Sequence, residues 1–234
     1  MGSALDSQAR RPAIAPTMDE ETPQAMREAV IAAALQVIQE RGLARTRTSH
    51  IARAAGCAEG SIYRYFSGKS ELVHEVIHAR LVNMIGMLAD LPMRAGTATV
   101  EANLLEAVRT ALVSYGEATM LLGGLFADTD LLAAEREFLG SYGVGPVAMA
   151  GNLAAYLKAE QSLGRVRPEA DVEVAARLLL ASCLGESLFR AIDPAVDAAD
   201  QERYLRGLVR TVIGGLATRD SRERQRRSRA ATKE

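Results

Sequence analysis

The chain has 234 residues, of which 48% are hydrophobic, 24% charged and 4% aromatic, with a formal net charge of −1 and no tryptophan. This is the composition of an ordinary folded protein. No run of about 18 uninterrupted apolar residues occurs, so no membrane span or membrane partner is expected, and the N-terminus, with Asp6, Arg10 and Arg11, lacks the apolar core of a signal peptide.

The charge is unevenly distributed. It is +2 from Gln24 to His78, −3 from Pro168 to Ala217 and +4 from Arg219 to Glu234. A basic front and tail around an acidic rear suit a front that meets a polyanion. Cys57 and Cys183 lie in apolar surroundings and read as buried free thiols of a cytoplasmic protein rather than a disulfide.

Residues 1–22 carry Pro12 and Pro16, lack periodicity and read as a disordered arm. Val30, Ala33, Ala34, Val37 and Ile38 then follow the spacing of one helix face, and Gly42 ends that helix. A short second helix is predicted from about Ser49, with Thr48 as its N-cap and Ile51, Ala52 and Ala55 inward. Gly56 makes a tight turn, and a third helix runs from about Glu59 to Phe66. Ser67 caps a fourth, which Pro92 stops.

A loop spans 92–97. Helices follow at about 99–119, 128–141, 145–162, 171–191 and 201–217, punctuated by Gly143, Gly145, Gly164, Pro168 and Pro194. No useful stretch alternates with period two, so the fold is all-α. The stretch 218–234 reads as a basic disordered tail.

The segment from Thr48 to Lys69 reads TSHIARAAGCAEGSIYRYFSGK. Two short helices joined at a glycine, with small residues Ala52, Ala55 and Gly56 where they cross, form a helix-turn-helix. The second helix presents short and polar side chains outward, which suits the major groove.

Residues 27–78 resemble the DNA-binding domain of the TetR family of repressors. The resemblance rests on Gly42, Ile51-Ala52, Ala55-Gly56, the run Ser61-Ile62-Tyr63-Arg64-Tyr65-Phe66, and Lys69 with Leu72. It implies a three-helix DNA-binding domain over 23–67 and a ligand-binding and dimerisation domain over 68–217. It also implies that Thr48, Ser49, Tyr63, Tyr65 and Lys69 meet phosphates and that Gly60 and Ser61 face base edges. Arg45 and Arg47 add phosphate or groove contacts, and Arg64 belongs to the same surface. Two positions depart from the family pattern: Ala58 stands where a hydroxyl residue commonly caps the recognition helix, and Glu59 follows it. An acidic group there repels phosphates unless it stabilises the helix N-terminus or accepts from a cytosine amine.

His74-Glu75-Val76-Ile77-His78 matches the zinc-protease pattern H-E-x-x-H. His50 is the only other histidine, so a third ligand would have to come from Glu101 or Glu106. A metal-dependent hydrolase is the alternative reading. Solvent-exposed histidines in a regulator that is no enzyme and needs no cofactor are the favoured one.

In the rear domain, Met84, Leu88, Leu112, Tyr115 and Met120 are candidates to line an effector pocket. So are Phe126, Phe138, Tyr142, Met149 and Leu153. A small, largely apolar effector is expected.

The helix over 171–191 is apolar nearly all round, and that over 201–217 has one broad apolar face. Leu178, Ser182, Gly185 and Phe189 on the first, with Leu205, Val209, Val212 and Leu216 on the second, are expected to build a homodimer. Such a dimer would bind a palindromic double-stranded operator and leave it when the effector arrives.

Overall fold

A computed structural model describes residues 23–193 and 198–216, and among these every regular element is helical. The longer helices are α1 (Pro23–Arg41), α4 (Lys69–Asp90), α5 (Val100–Phe126), α6 (Thr129–Tyr142), α7 (Pro146–Ser162), α8 (Val172–Ile192) and α9 (Ala198–Leu216). Between α1 and α4 stand the short α2 (Thr48–Ala54) and α3 (Glu59–Ile62). The arm and tail read at 1–22 and 218–234 lie outside the described residues.

The apolar stripe of α1 is buried, and the helix stops where Gly42 turns the backbone to φ 77°. Thr99, Asp128 and Asp171 cap α5, α6 and α8 by accepting from the backbone N–H three residues on. Two expected caps differ. Arg47 holds the N-cap position of α2, because the Thr48 hydroxyl is drawn away to Glu59. Gly68 precedes α4, because Ser67 N–H and Oγ–H both donate to Glu71 at 2.7 Å. The recognition helix is also shorter than predicted, ending at Ile62 and continuing as turns through Tyr65. Where a loop was expected from Pro92, a 3-10 turn over Leu91–Arg94 takes the proline in.

Two apolar clusters organise the chain. The front one joins Val30, Val37, Ile51, Ile62 and Phe66 to Leu72 and Val76 of α4. It also takes in Leu121 and Leu125 of α5 and Leu131 of α6. The rear one holds Met84, Leu88, Leu104, Val108, Leu153 and Leu179. Helices α4 and α5 therefore belong to both.

This sharing explains why α5 runs past its expected end near 119. Its last two turns bury Leu121 and Leu125 against the front domain. Gly124 lets the backbones meet there, since a Cβ at this position would stand 2.6 Å from Leu43 Cβ. The stretch 69–94 is long and apolar enough to cross a membrane by length and composition alone, with a mean hydropathy of 1.2, as a core helix also can be. Its side chains serve here as the spine of the two clusters.

A buried polar lock ties α7 to the loop before α5. Glu160, fully buried, pairs with Arg165 at 2.7 Å and accepts from Gly96 N–H. Asn103 donates to the Tyr156 hydroxyl at 3.0 Å, and burial pushes that hydroxyl up to about 12. Pairing of this kind is what makes a buried carboxylate tolerable.

The expected contribution of α9 to a subunit interface needs correction. Leu205, Val209 and Val212 are buried in the rear cluster of their own chain, because α9 has a single apolar face and the rest of the subunit covers it. The Leu216 side chain lies outside the described residues. The face left open belongs to α8, where Leu178, Leu188, Phe189 and Ile192 are exposed and Ser182 and Gly185 half-buried.

Gly124→Ala is expected to destabilise the protein by about 1–3 kcal/mol through overpacking, measured by urea unfolding. In a Leu43→Gly background, which lacks the clashing Cβ, Gly124→Ala should cost less, and a double-mutant cycle without coupling would contradict the contact.

Candidate nucleic-acid interface and cavity

Crossing of α2 and α3 brings together polar groups eleven to fifteen residues apart in sequence. Thr48 Oγ1 donates to Glu59 Oε1 at 2.5 Å and lies 3.4 Å from the Tyr63 hydroxyl. Ile51, Ala52 and Ile62 are buried beneath, so the outer face is what remains for a ligand. Tyr63 is 54% exposed. Ser49 and Ser61 are half-buried, and Gly60 is exposed with open space where a side chain would be. Tyr65 is half-buried against the front cluster, and Phe66 is wholly inside it.

The cations sit round this face in different states. Arg45, Arg47 and Arg64 are exposed, and Arg45 Nε donates to the Arg41 carbonyl at 2.9 Å. Lys69 Nζ is 3.4 Å from the Leu43 carbonyl, held at the start of α4. Arg53 is exposed on α2 and escaped the sequence reading, which looked only at residues bearing the motif. Glu59 stands in the first turn of α3, where a carboxylate favours the helix N-terminus. Its carboxylate accepts the Thr48 hydroxyl and so links the first turn of α3 to the first turn of α2.

A second site lies behind this one. A cavity of ≈ 210 Å³ opens between α4, α5, α6, α7 and α8. Of the ten residues read as pocket candidates, Tyr115, Phe126 and Met149 line it. Phe138 and Tyr142 line a neighbouring recess of ≈ 330 Å³. Met84, Leu88, Leu112 and Leu153 are closed core side chains, and Met120 is exposed on the far side of α5. The walls that were missed come largely from α4: His74, His78, Leu81 and Ile85, spaced four, three and four residues apart. That stripe was present in the sequence but was hidden by the zinc-like pentapeptide it overlaps.

The fold takes the pentapeptide apart. His74 is buried, not solvent-exposed as expected, because α6 covers it: its Nδ1 donates to Glu135 Oε2 at 2.8 Å and its ring stacks on Phe138. Glu75 pairs with Arg27 at 2.7 Å, tying α4 to α1. Glu106 pairs with Arg94 at 2.6 Å, and Glu101 faces Arg210. Among the described residues no group of three or more His, Cys, Asp or Glu side chains is placed to hold a metal.

Both cysteines are free, and only Cys183 is fully buried. Its thiol donates to the Val108 carbonyl, and burial pushes it up to about 12. Cys57, half-buried beside the helix-turn-helix, is raised by burial as well. A thiol reagent at mildly alkaline pH should therefore modify Cys57 alone in the native protein and both cysteines after unfolding. Equal rates for the two in the native state would contradict the burial of Cys183.

Comparison with known proteins bears on both sites. Residues 30–76 match the family described as bacterial regulatory proteins, tetR family. An uncharacterised HTH-type transcriptional regulator of Bacillus subtilis, YvdT, is 34% identical over 61 residues, 26% of this chain and 31% of its own. The chain thus matches about a third of that relative's length. A TetR-family regulator from Mesorhizobium loti superposes with a TM-score of 0.68 at 20% identity, over 85% of this chain and 100% of its own. SmeT, the repressor of the Stenotrophomonas maltophilia multidrug efflux pump SmeDEF, does so with a TM-score of 0.64 at 21% identity, over 84% and 92%; it has also been solved with triclosan. At these identities the structural likeness is one of fold: an N-terminal helix-turn-helix with a helical domain behind it.

Proposed function

From the match of residues 30–76 to the TetR family of bacterial regulatory proteins, we propose that the chain is a member of that family: a cytoplasmic homodimeric repressor, released from a palindromic operator by a small, largely apolar effector. The observation that carries the reading is the α2–α3 face. It sets the Thr48 and Tyr63 hydroxyls side by side in a domain whose Arg45, Arg47, Arg53 and Arg64 are exposed. Hydroxyls and guanidinium groups donate to phosphate oxygens and fix register on a duplex, while the short side chains at Gly60 and Ser61 leave room for base edges.

Assembly is ascribed to α8. Leu178 and Phe189 are exposed and Ser182 and Gly185 half-buried, and together they form a face of apolar and small groups that the described residues leave largely open; two such faces pair through a two-fold axis. The domain limits follow from the same reading: 23–67 for DNA and 68–217 for ligand and partner. Release by an effector has support in SmeT, a repressor solved with triclosan, and in the mostly apolar cavity of this chain. The protein is read as a regulator without enzymatic function, since the relatives it matches are regulators.

Selection of duplexes by the purified protein from a random pool is expected to yield palindromes. Lys69→Ala should then weaken binding to operator and random duplex alike and flatten the salt dependence, because a phosphate contact carries no base information. Tyr63→Phe should cost about 0.5–1.5 kcal/mol per head, and Ser61→Ala should change the preference among operators. Recovery of no enriched sequence, or unchanged binding in folded Lys69→Ala and Tyr63→Phe proteins, would contradict the proposal.

A further inference from the structure

Building on the reading of the rear domain as a sensor, we infer that the molecule it senses is an amphipathic organic cation, its apolar body in the ≈ 210 Å³ cavity and its ammonium group at Glu135 beside the Phe138 and Tyr142 rings. His74 and Glu135 line both this cavity and the ≈ 330 Å³ recess next to it, so they form the partition between the two. On one side of the partition stand Leu81, Leu122, Leu132 and Met149; on the other stand Ser67, Ser70, Glu71 and the two rings.

Three observations select the cation. The first is a carboxylate with a single protein donor. The Glu135 side chain is only 11% exposed, and its one hydrogen bond among the described residues comes from His74. A carboxylate offers about four acceptor positions, and a buried one with a single donor calls for more. Glu71, the other carboxylate of the recess, is already occupied by the N–H and hydroxyl of Ser67.

The second is the balance of charge. Among the lining residues the permanent cation is Arg136, which is exposed at the rim, against the carboxylates Glu71 and Glu135. His74 shares its Nδ1 proton with Glu135, and His78 stands one turn further along α4. An entering ammonium adds donors to Glu135, whereas an entering carboxylate would be set against it.

The third is the aromatic wall. Phe138 lies 3.4 Å from the His74 ring and 4.4 Å from Tyr142, centroid to centroid. Ring faces beside a carboxylate attract ammonium groups.

Tyr115 adds a detail of specificity. It is 6% exposed, lines the cavity, and its hydroxyl has no hydrogen-bond partner among the described residues. Burial pushes its hydroxyl up to about 12, so it remains a neutral donor. It would meet an ether or carbonyl oxygen on the body of the ligand.

The test is calorimetric titration of the full chain with phenylbutylamine, phenylbutanol and phenylbutyrate, which share one body and differ in head group. The amine should bind about tenfold or more tighter than the alcohol, and the carboxylate weakest. Glu135→Gln should bring the affinity for the amine down to that for the alcohol, and Met149→Trp should abolish binding of all three. Wild-type protein alone decides the ranking, so the result does not hang on the folding of a variant. Equal or tighter binding of the alcohol or the carboxylate, or an amine preference that survives Glu135→Gln, overturns the cation assignment. Operator release by those other ligands would leave the sensing function standing. Failure of all three to bind would overturn both.

Discussion

The structure depends on the contact between Leu43 and Gly124. It is the point at which the DNA-binding front rests on α5, and a single methyl group there would collide with the Leu43 side chain. Around it, Leu121, Leu125 and Leu131 close the front cluster from behind, so helices of the rear domain complete the core of the front one. A domain of some 45 residues is marginal on its own, because so short a chain buries too little of its surface. Borrowing α4, α5 and α6 supplies the missing area and removes the freedom of a linker.

Because of this sharing, α4 carries both sites. Leu72 and Val76 support the front cluster, while His74, His78, Leu81 and Ile85 wall the cavity on another face of the same helix. Leu125 belongs to the front core and the cavity wall at once. A molecule that changes the packing of the cavity thus acts on residues that also hold the recognition helices, and tightly packed interiors transmit such shifts. The ion pair from Arg27 to Glu75 binds α1 to the same helix, and Arg27 also lies over the ring of Phe66 at 5.2 Å, just after the recognition helix. Across the partition, His74 and Glu135 join α4 to α6, so occupancy at Glu135 bears directly on the spacing of those two helices.

What the sequence disclosed follows the range of each interaction. The stripe of α1, the turn at Gly42, the small residues of the helix-turn-helix and the all-helical fold are local patterns, and they were legible. Thr48 was misread as a cap, because its true partner is eleven residues away on another helix. The extension of α5 was missed for a like reason: the force that holds it is burial against Leu43, about eighty residues earlier. Met84, Leu88 and Leu112 looked like pocket residues because composition does not distinguish a filled core from a cavity wall. His74 looked exposed because α6, the helix that covers it, meets it only in the folded chain. The face of α9 was assigned outward for want of knowing that one apolar stripe satisfies one neighbour, which is its own subunit.

Central to this account is that the cavity and the recognition helices form one mechanical unit, and the spacing of the two heads in the proposed dimer measures it directly. A spin label placed on Cys57 sits beside the helix-turn-helix, and the buried Cys183 leaves it the sole point of attachment. The distance between the two labels should be recorded for the wild-type protein and for Met149→Trp, which fills the cavity with protein. The account predicts that the distance distribution shifts between the two while helicity stays the same. An unchanged distribution with the cavity filled and the dimer intact would contradict it.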